Sequence, residues 1–460
     1  MTLDRRNFIR TTAAVGGWLT FGDLLLPAAE DLRPSLKVAP FRIDASPPDG
    51  HPLCGGWIKP VVGMDDPEEA IGFVLLGAGQ PIVICAVDWT GILNDAHVEW
   101  RTVLAQAAGT TPDRVAVQCV HQHNAPFACL DAERITQAQG DLPHVVDAGF
   151  HRRCCDRTAA AITVALKSAR PVTHLATGFA RVEKVAGNRR FLGADGKVTD
   201  WRGSSSKNPV HKELPEGLID PWLKTVAFYD GETKLIACHY YATHPMSYYG
   251  DGRVSSDFVG LARKKRQADE PGCTHIYFTG CSGNIAAGKY NDGTPEARVA
   301  LTGRIYDGIV ASEKELVCEP ISQVSWRTAE VFPSPRATFV AEALEKEIAN
   351  KNNAVAARIR PAMMLSWLRR CERKVPIVLS ALHVNNATLL HMPAESFVEY
   401  QLHAQQSAPN RFVATAAYGD GGPWYIPVKE AYPQGGYEVG VAFCEPTVED
   451  VLKAGMGKLL

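Results

Sequence analysis

The segment 72–88 limits the fold more than any other part of the chain. Two apolar runs, 72–77 and 81–88, flank the turn Gly79-Gln80-Pro81 and read as paired strands. The second contains Ile82-Val83-Ile84-Cys85-Ala86-Val87, which has no polar residue. Strands of this kind belong in sheets covered by helices. The pattern then predicts a helix over 94–108, a strand over 113–120 and a long helix over 144–168. Strands are expected near 173–181, 223–229 and 233–241, then a helix over 257–268, a strand over 274–279 and a helix over 294–315. A strand near 320–331 precedes helices over 335–350 and 353–371. Strands near 376–384 and 387–391, a helix over 395–406, a strand over 411–417 and a helix over 446–458 complete the pattern. No internal repeat or low-complexity linker is visible. The reading is α/β (α+β mixed), with layered mixed β-sheets flanked by helices. The Gly/Ser/Lys-rich segment 192–214 reads as a long surface loop, either a lid or inert.

Composition excludes several classes. Of 460 residues, 46% are hydrophobic and 21% charged, which suits a folded protein with a substantial core and not a disordered chain. A net charge of −2 gives no sequence-independent reason to bind nucleic acid. There is no phosphate-binding glycine loop and no Gly-x-Ser-x-Gly elbow. The run Arg263-Lys264-Lys265-Arg266 is followed by Asp269-Glu270 and reads as a solvated helix face. The 12 cysteines include no CxxC pair. Several, such as Cys85, sit in apolar runs and read as small buried hydrophobes. Cys154 and Cys155 are adjacent on a helix and do not share a face.

Residues 1–29 read as an export signal rather than part of the fold. A charged start leads into a mildly apolar stretch and then Pro27-Ala28-Ala29. Arg5-Arg6 before Asn7-Phe8-Ile9 resembles a twin-arginine signal. Arg10 and Asp23 interrupt the apolar stretch, which makes it a poor membrane span. An ordinary N-terminal helix is the alternative. The expectation is export through the twin-arginine (Tat) machinery to the periplasm or the exterior. Residues 30–460 would then form a single domain with no transmembrane segment.

Five motifs could carry chemistry, and each falls where a strand ends. The first is Gln118-Cys119-Val120-His121-Gln122-His123-Asn124-Ala125-Pro126. Two imidazoles two residues apart at a strand end face the same way and make half of a zinc site. One core and one surface histidine is the alternative. The second is Thr243-His244-Pro245, followed by Ser256-Asp257, either of which could cap the next helix. The third is Gly280-Cys281-Ser282-Gly283-Asn284, where backbone N–H groups could approach a substrate, or an ordinary tight turn. The fourth is Met392-Pro393-Ala394-Glu395, whose carboxylate could serve a metal or a helix dipole. The fifth is the aromatic, glycine-rich loop Tyr418–Pro427. Catalytic residues of sheet proteins gather on loops at strand ends.

Taken in order, these pieces resemble the neutral/alkaline non-lysosomal ceramidase family over roughly 38–445. Val120–Pro126 resembles the family's Thr-His-Thr-His-Ser-Gly-Pro segment, and Asn188-Arg189 its Asn-Arg motif. Asp220-Pro221 is similar to its Asp-Pro, Ser256-Asp257 to its Gly-Asp, and Tyr425 lies in a Tyr-Ile-Pro similar to its Tyr-Ile-Thr. The resemblance implies a ceramidase-like catalytic domain and Zn2+ held by His121, His244, Glu395 and Tyr425. It also implies catalytic roles for His123, Arg189 and Tyr425, and a substrate loop at Ser282, Gly283 and Asn284. Two positions depart from the family. Its loop serine falls on Ala286 and its aspartate on Asn284. That favours metal-activated water over a covalent serine. The chain also ends at Leu460, short of the family's immunoglobulin-like C-terminal domain.

The expected function is therefore an exported zinc-dependent hydrolase of a linear amide, with an N-acyl or lipid amide as substrate. The alternatives are a metal-dependent esterase and a metal- or ligand-binding relative altered in catalysis.

Overall fold

The computed structural model describes residues 35–314 and 316–460. The export signal, with Arg5 and Arg6, lies outside the described residues. Three sheets carry the fold. The first holds β1 (Leu36–Asp44), β2 (Glu69–Leu76), β3 (Ile82–Val87), β4 (Val115–Cys119) and β5 (Arg170–Val172), in the order β4-β3-β2-β1-β5. The second holds β6 (His174–Arg181), β7 (Trp222–Asp230), β8 (Thr233–Tyr241), β9 (Thr274–Thr279) and β10 (Val317–Pro320), in the order β9-β8-β7-β6-β10. The third holds β11 (Val324–Val331), β12 (Ile377–Val384), β13 (Ala387–His391) and β14 (Phe412–Ala416), in that order.

The apolar run that begins at Ile82 is buried along its whole length, as expected. Its alternate side chains enter two different cores. Val83, Cys85 and Val87 pack with Trp89 and Trp100, while Ile82, Ile84 and Ala86 pack with Phe73 and Phe228. This is the period-two alternation of a strand covered on both faces. Helices α1 (Asp95–Ala108) and α2 (Ala148–Leu166) pack on each other, and α2 lies against β1 of the first sheet. Asp147 caps α2 by accepting from the N–H groups of Gly149 and Phe150. Helices α3 (Asp257–Asp269) and α4 (Pro295–Lys314) pack on the second sheet. Helix α5 (Val355–Glu372) follows later, and α6 (Val398–Ser407) links β13 to β14.

The sheets share a plan that the sequence hides. Each contains an antiparallel hairpin, then a helix, then a strand returning parallel to the hairpin's second strand. The units are β2-β3-α1-β4, β7-β8-α3-β9 and β12-β13-α6-β14. Strand β9 lies against β3, β4 and β14, so the parallel edges meet. In open sheets, sites form beyond the carboxyl ends of parallel strands. Here three sets of such ends converge.

Three expectations need correction. The segment 192–214 is not a plain loop. Arg190–Leu192 pairs with Val198–Trp201, and Pro209–Glu213 is helical. Arg202, 1% exposed, anchors the segment by donating to the carbonyls of His211, Leu214, Asn188 and Pro215. Glu395 does not open a helix. It lies on the two-residue strand Glu395–Ser396, and α6 begins at Val398. Neither Ser256 nor Asp257 is an ordinary cap. Asp257 has φ of 51° and turns its carboxylate onto the N–H and hydroxyl of Ser247.

No helix among the described residues is long and apolar enough to cross a membrane.

Candidate metal centre

His121 lies two residues past β4, with φ of 77°. That left-handed turn takes the chain out of the strand. His121 and His123 therefore do not face the same way through strand alternation. Their rings still meet, 4.7 Å apart, because the turn folds one toward the other. His244 lies three residues past β8, Glu395 four past β13, and Tyr425 beyond β14. Glu395 and Tyr425 are register partners in the parallel pair Glu395–Ser396 with Tyr425–Ile426.

These residues converge on one point. His121 Nε2 is 3.3 Å from His244 Nε2. Glu395 Oε2 is 3.3 Å from His121 Nε2 and 3.1 Å from His244 Nε2. The Tyr425 hydroxyl is 3.3 Å from His244 Nε2. Ligands on a tetrahedral zinc, each about 2.0–2.1 Å from the ion, stand about 3.3–3.4 Å apart. The donor set and its spacing thus fit the metal. His121, His123 and His244 also lie within 4.8 Å of one another, which puts His123 beside this set.

The histidines are oriented for the task. His121 Nδ1 donates to the Thr90 carbonyl at 2.6 Å, and His244 Nδ1 to the Ser282 carbonyl at 2.7 Å. A proton fixed on Nδ1 leaves the Nε2 lone pair free for a metal. Burial pulls the His244 imidazole down to about 4, which keeps it neutral near pH 7. Glu395 Oε2 lies within 3.3 Å of both Nε2 atoms, a crowding of acceptors that a cation between them would relieve. Burial, with the charge of Glu395, pushes Tyr425 well above the usual phenol range.

Arg189 stands on the other side of the cluster. Its Nη1 is 3.2 Å from the Tyr425 hydroxyl and 3.4 Å from His244 Nε2. The Asn188-Arg189 segment is placed by Gly187–Asn188, which pairs with Ile285–Ala286. The guanidinium lies over the Trp201 ring at 4.6 Å, and its Nε is 3.4 Å from Glu438.

The loop expected to meet substrate lies behind the histidines. The Ser282 hydroxyl bonds the Tyr418 hydroxyl at 2.6 Å. A Cβ on Gly283 would come within 2.2 Å of the Glu395 carbonyl, so only glycine lets these backbones approach. Asn284 accepts from the Val398 N–H at the start of α6 and donates to Glu399. Ala286 offers no nucleophile. None of Ser282, Gly283 and Asn284 lines the cavity over the cluster, so their part is to support it.

That cavity has a volume of about 420 Å³. His121, His123, Arg189, His244, Glu395 and Tyr425 form its floor. Trp57, Phe127, Tyr249 and Trp424 are among its aromatic walls. The sequence reading placed Tyr418 in a candidate loop without a role, where it stacks on His121 at 4.2 Å, and missed Glu438, which clamps Arg189, Arg190 and Trp201. It also missed the strain of the site. Cys54, His121, Ala394, Tyr418 and Trp424 all carry left-handed backbone and lie at or beside the cluster. Each such residue costs on the order of 1–3 kcal/mol, and strain of this kind gathers at functional sites.

Fold and site together define a ceramidase-like α/β architecture with a His-His-Glu-Tyr cluster at its strand ends. A solved ceramidase complexed with C2 superposes with a TM-score of 0.65 at 15% identity, covering 92% of this chain and 74% of that one. A crystal structure of neutral ceramidase from Pseudomonas aeruginosa gives 0.64 at 15% identity with the same coverage. At this identity the likeness establishes the fold. No family model matches the chain, and no curated protein does.

Proposed function

We propose that this chain is an exported zinc-dependent hydrolase of a linear N-acyl or lipid amide. One observation carries the reading: four N and O donors from three sheets converge at tetrahedral spacing on the floor of an aromatic cavity. His121, His244, Glu395 and Tyr425 would hold the ion. Zinc, when bound, supplies a Lewis acid and brings the pKa of water to about 7.

The chain's own residues account for the rest. The carbonyls of Thr90 and Ser282 keep His121 and His244 in the binding tautomer. Arg189 Nη1, beside the Tyr425 hydroxyl, places positive charge where an acyl oxygen gains negative charge. His123 is held far below its ordinary pKa by burial, with His121 and His244 adding to the effect. It is therefore neutral near pH 7. Its ring lines the cavity beside His121 and His244 and can hydrogen-bond the attacking water or the leaving nitrogen. In the net reaction, the C–N bond breaks, water's oxygen joins the acyl carbon, and the amine leaves with a proton. The aromatic walls exclude bulk water and suit an acyl chain.

The test is zinc content per purified chain, followed by turnover on matched acyl-amide and acyl-ester panels. Zinc near one per chain with amide turnover supports the reading. An ester-only profile would make it an esterase, and zinc without turnover would leave a binding protein. For export, residues 1–29 fused to a folded reporter should carry it out of the cytoplasm, and Arg5→Lys with Arg6→Lys should stop it.

A further inference from the structure

The geometry points to an anion-binding subsite at Arg360, which makes the preferred substrate an acyl amide whose amine portion bears a carboxylate or phosphate. This rests on the hydrolase reading above and names the substrate class for that same site. Arg360 lies on α5 and lines the cavity, with its guanidinium 5.9 Å from the Trp424 ring centroid. The other arginines of α5 each hold a carboxylate: Arg358 pairs with Asp141, Arg369 with Glu345 and Arg370 with Asp420. Among the described residues Arg360 has no acidic partner within 4.0 Å and no hydrogen bond. It is exposed, so no desolvation cost has to be offset by an internal counter-charge.

The charge balance of the cavity points the same way. Its charged lining groups are Arg189, Arg360 and Glu395, besides the histidines. Glu395 is engaged with His121 and His244, and Arg189 with Glu438. Among the described residues, Arg360 is the one charged lining group with no ion-pair partner. An exposed cation on the cavity wall with no internal acceptor suits a ligand rich in acceptors. Arginine's planar fork binds both carboxylate and phosphate. Arg360 lines the same cavity as His121, His244 and Tyr425, so one ligand can reach both the cluster and the guanidinium. An uncharged amine portion would leave Arg360 unpaired.

The test compares two matched pairs. One is N-octanoyl-L-phenylalanine against its carboxamide. The other is N-octanoyl-phosphoethanolamine against N-octanoyl-ethanolamine. In the wild type, kcat/KM should favour the anionic member of at least one pair by about tenfold, mostly through KM, as a charge-assisted bond at a cavity mouth allows. The preferred pair identifies the anion. The ratio should fall toward one in Arg360→Gln, invert in Arg360→Glu and partly return in Arg360→Lys. A wild-type ratio near one in both pairs, or a ratio unchanged in Arg360→Gln, overturns the subsite while leaving the hydrolase intact. Calorimetric binding of the same four compounds, with and without zinc, gives the ratio independently of turnover. If nothing is hydrolysed but the anionic compounds bind tighter and Arg360→Gln erases the gap, the subsite stands and the hydrolase reading falls. Equal binding with no turnover overturns both.

Discussion

The Nε2 atoms of His121 and His244 stand 3.3 Å apart, although the residues are 123 positions apart in the chain. They come from different sheets, His121 beyond β4 and His244 beyond β8, and Glu395 and Tyr425 complete the set. His244→Ala should therefore lower zinc from about one per chain to a small fraction, measured by elemental analysis after dialysis. His123→Ala should keep zinc and lose turnover by about 10²–10³, the usual cost of removing one positioned hydrogen-bonding group. Loss of zinc in His123→Ala would instead make it a ligand. Added zinc should raise Tm in the wild type and not in His244→Ala, since a ligand at 100 times its Kd stabilises by about 2.7 kcal/mol.

Asp420 anchors the loop that carries Tyr425. It accepts from the N–H groups of Asn94 and Gly422 and pairs with Arg370 at 2.5 Å, all buried. Burial alone would raise its carboxyl, but Arg370 and His97 hold it below the usual range. Removing one partner of a buried pair leaves the other uncompensated. Asp420→Ala should cost about 3–5 kcal/mol in urea unfolding, with zinc affinity falling alongside. A loss under 1 kcal/mol would show that the pair adds little.

Two glycines give an internal control. In Gly283→Ala the new Cβ would meet the Glu395 carbonyl at 2.2 Å. It should cost about 1–3 kcal/mol and displace Glu395, weakening metal binding. Gly303, inside α4, has nothing within 4 Å of its Cβ position. Gly303→Ala should gain about 0.5–1 kcal/mol and leave zinc untouched. Equal effects at the two positions would refute the close approach at Gly283.

Acid should unfold the protein partly through a second histidine pair, buried within the second sheet and outside the His-His-Glu-Tyr cluster. His239 and His275 are buried in the second sheet, stacked 5.3 Å apart and joined by a 2.9 Å hydrogen bond. Burial, aided by nearby cations and by His239 itself, pulls both down from 6.5 to about 3. Below pH 6.5 the unfolded chain takes up protons that the native pair refuses. Stability from this pair is full above pH 6.5 and declines as pH falls toward 3. Urea midpoints between pH 7 and 4 should show the decline, and His239→Gln should flatten it.

Much of this fold was legible in the sequence. The strand over 274–279 is found at Thr274–Thr279, and the helices over 94–108 and 257–268 form within a residue. Their signals are local: apolar runs, helical periodicity and bounding turns. Strand β1 was missed because Lys37, Pro40 and Arg42 break its apolar pattern. The repeated hairpin–helix–strand unit was invisible because it lies in the pairing of strands, not in residue identity. At the site, motif order pointed to His121, His244, Glu395 and Tyr425. It did not point to Glu438, whose buried carboxylate matters only once Arg189 and Trp201 have been folded against it. The Ser282–Asn284 loop was read as facing substrate because small residues allow close approach. The approach is real, but it is to the backbone of Glu395.

The left-handed residues around the cavity carry a further consequence for how such a protein can change. The Ala394 carbonyl accepts from the Tyr418 N–H, and the Trp424 carbonyl from the Glu395 N–H, so the unfavourable backbone angles are also the ties between two loops. Glycine at Ala394 would relieve one of those angles and make the protein more tolerant of heat. It would also let the loops drift apart. Selection for durability and selection for a sharply defined centre thus pull on the same few residues in opposite directions, and variants that survive longer in the heat should hold their ligands less firmly.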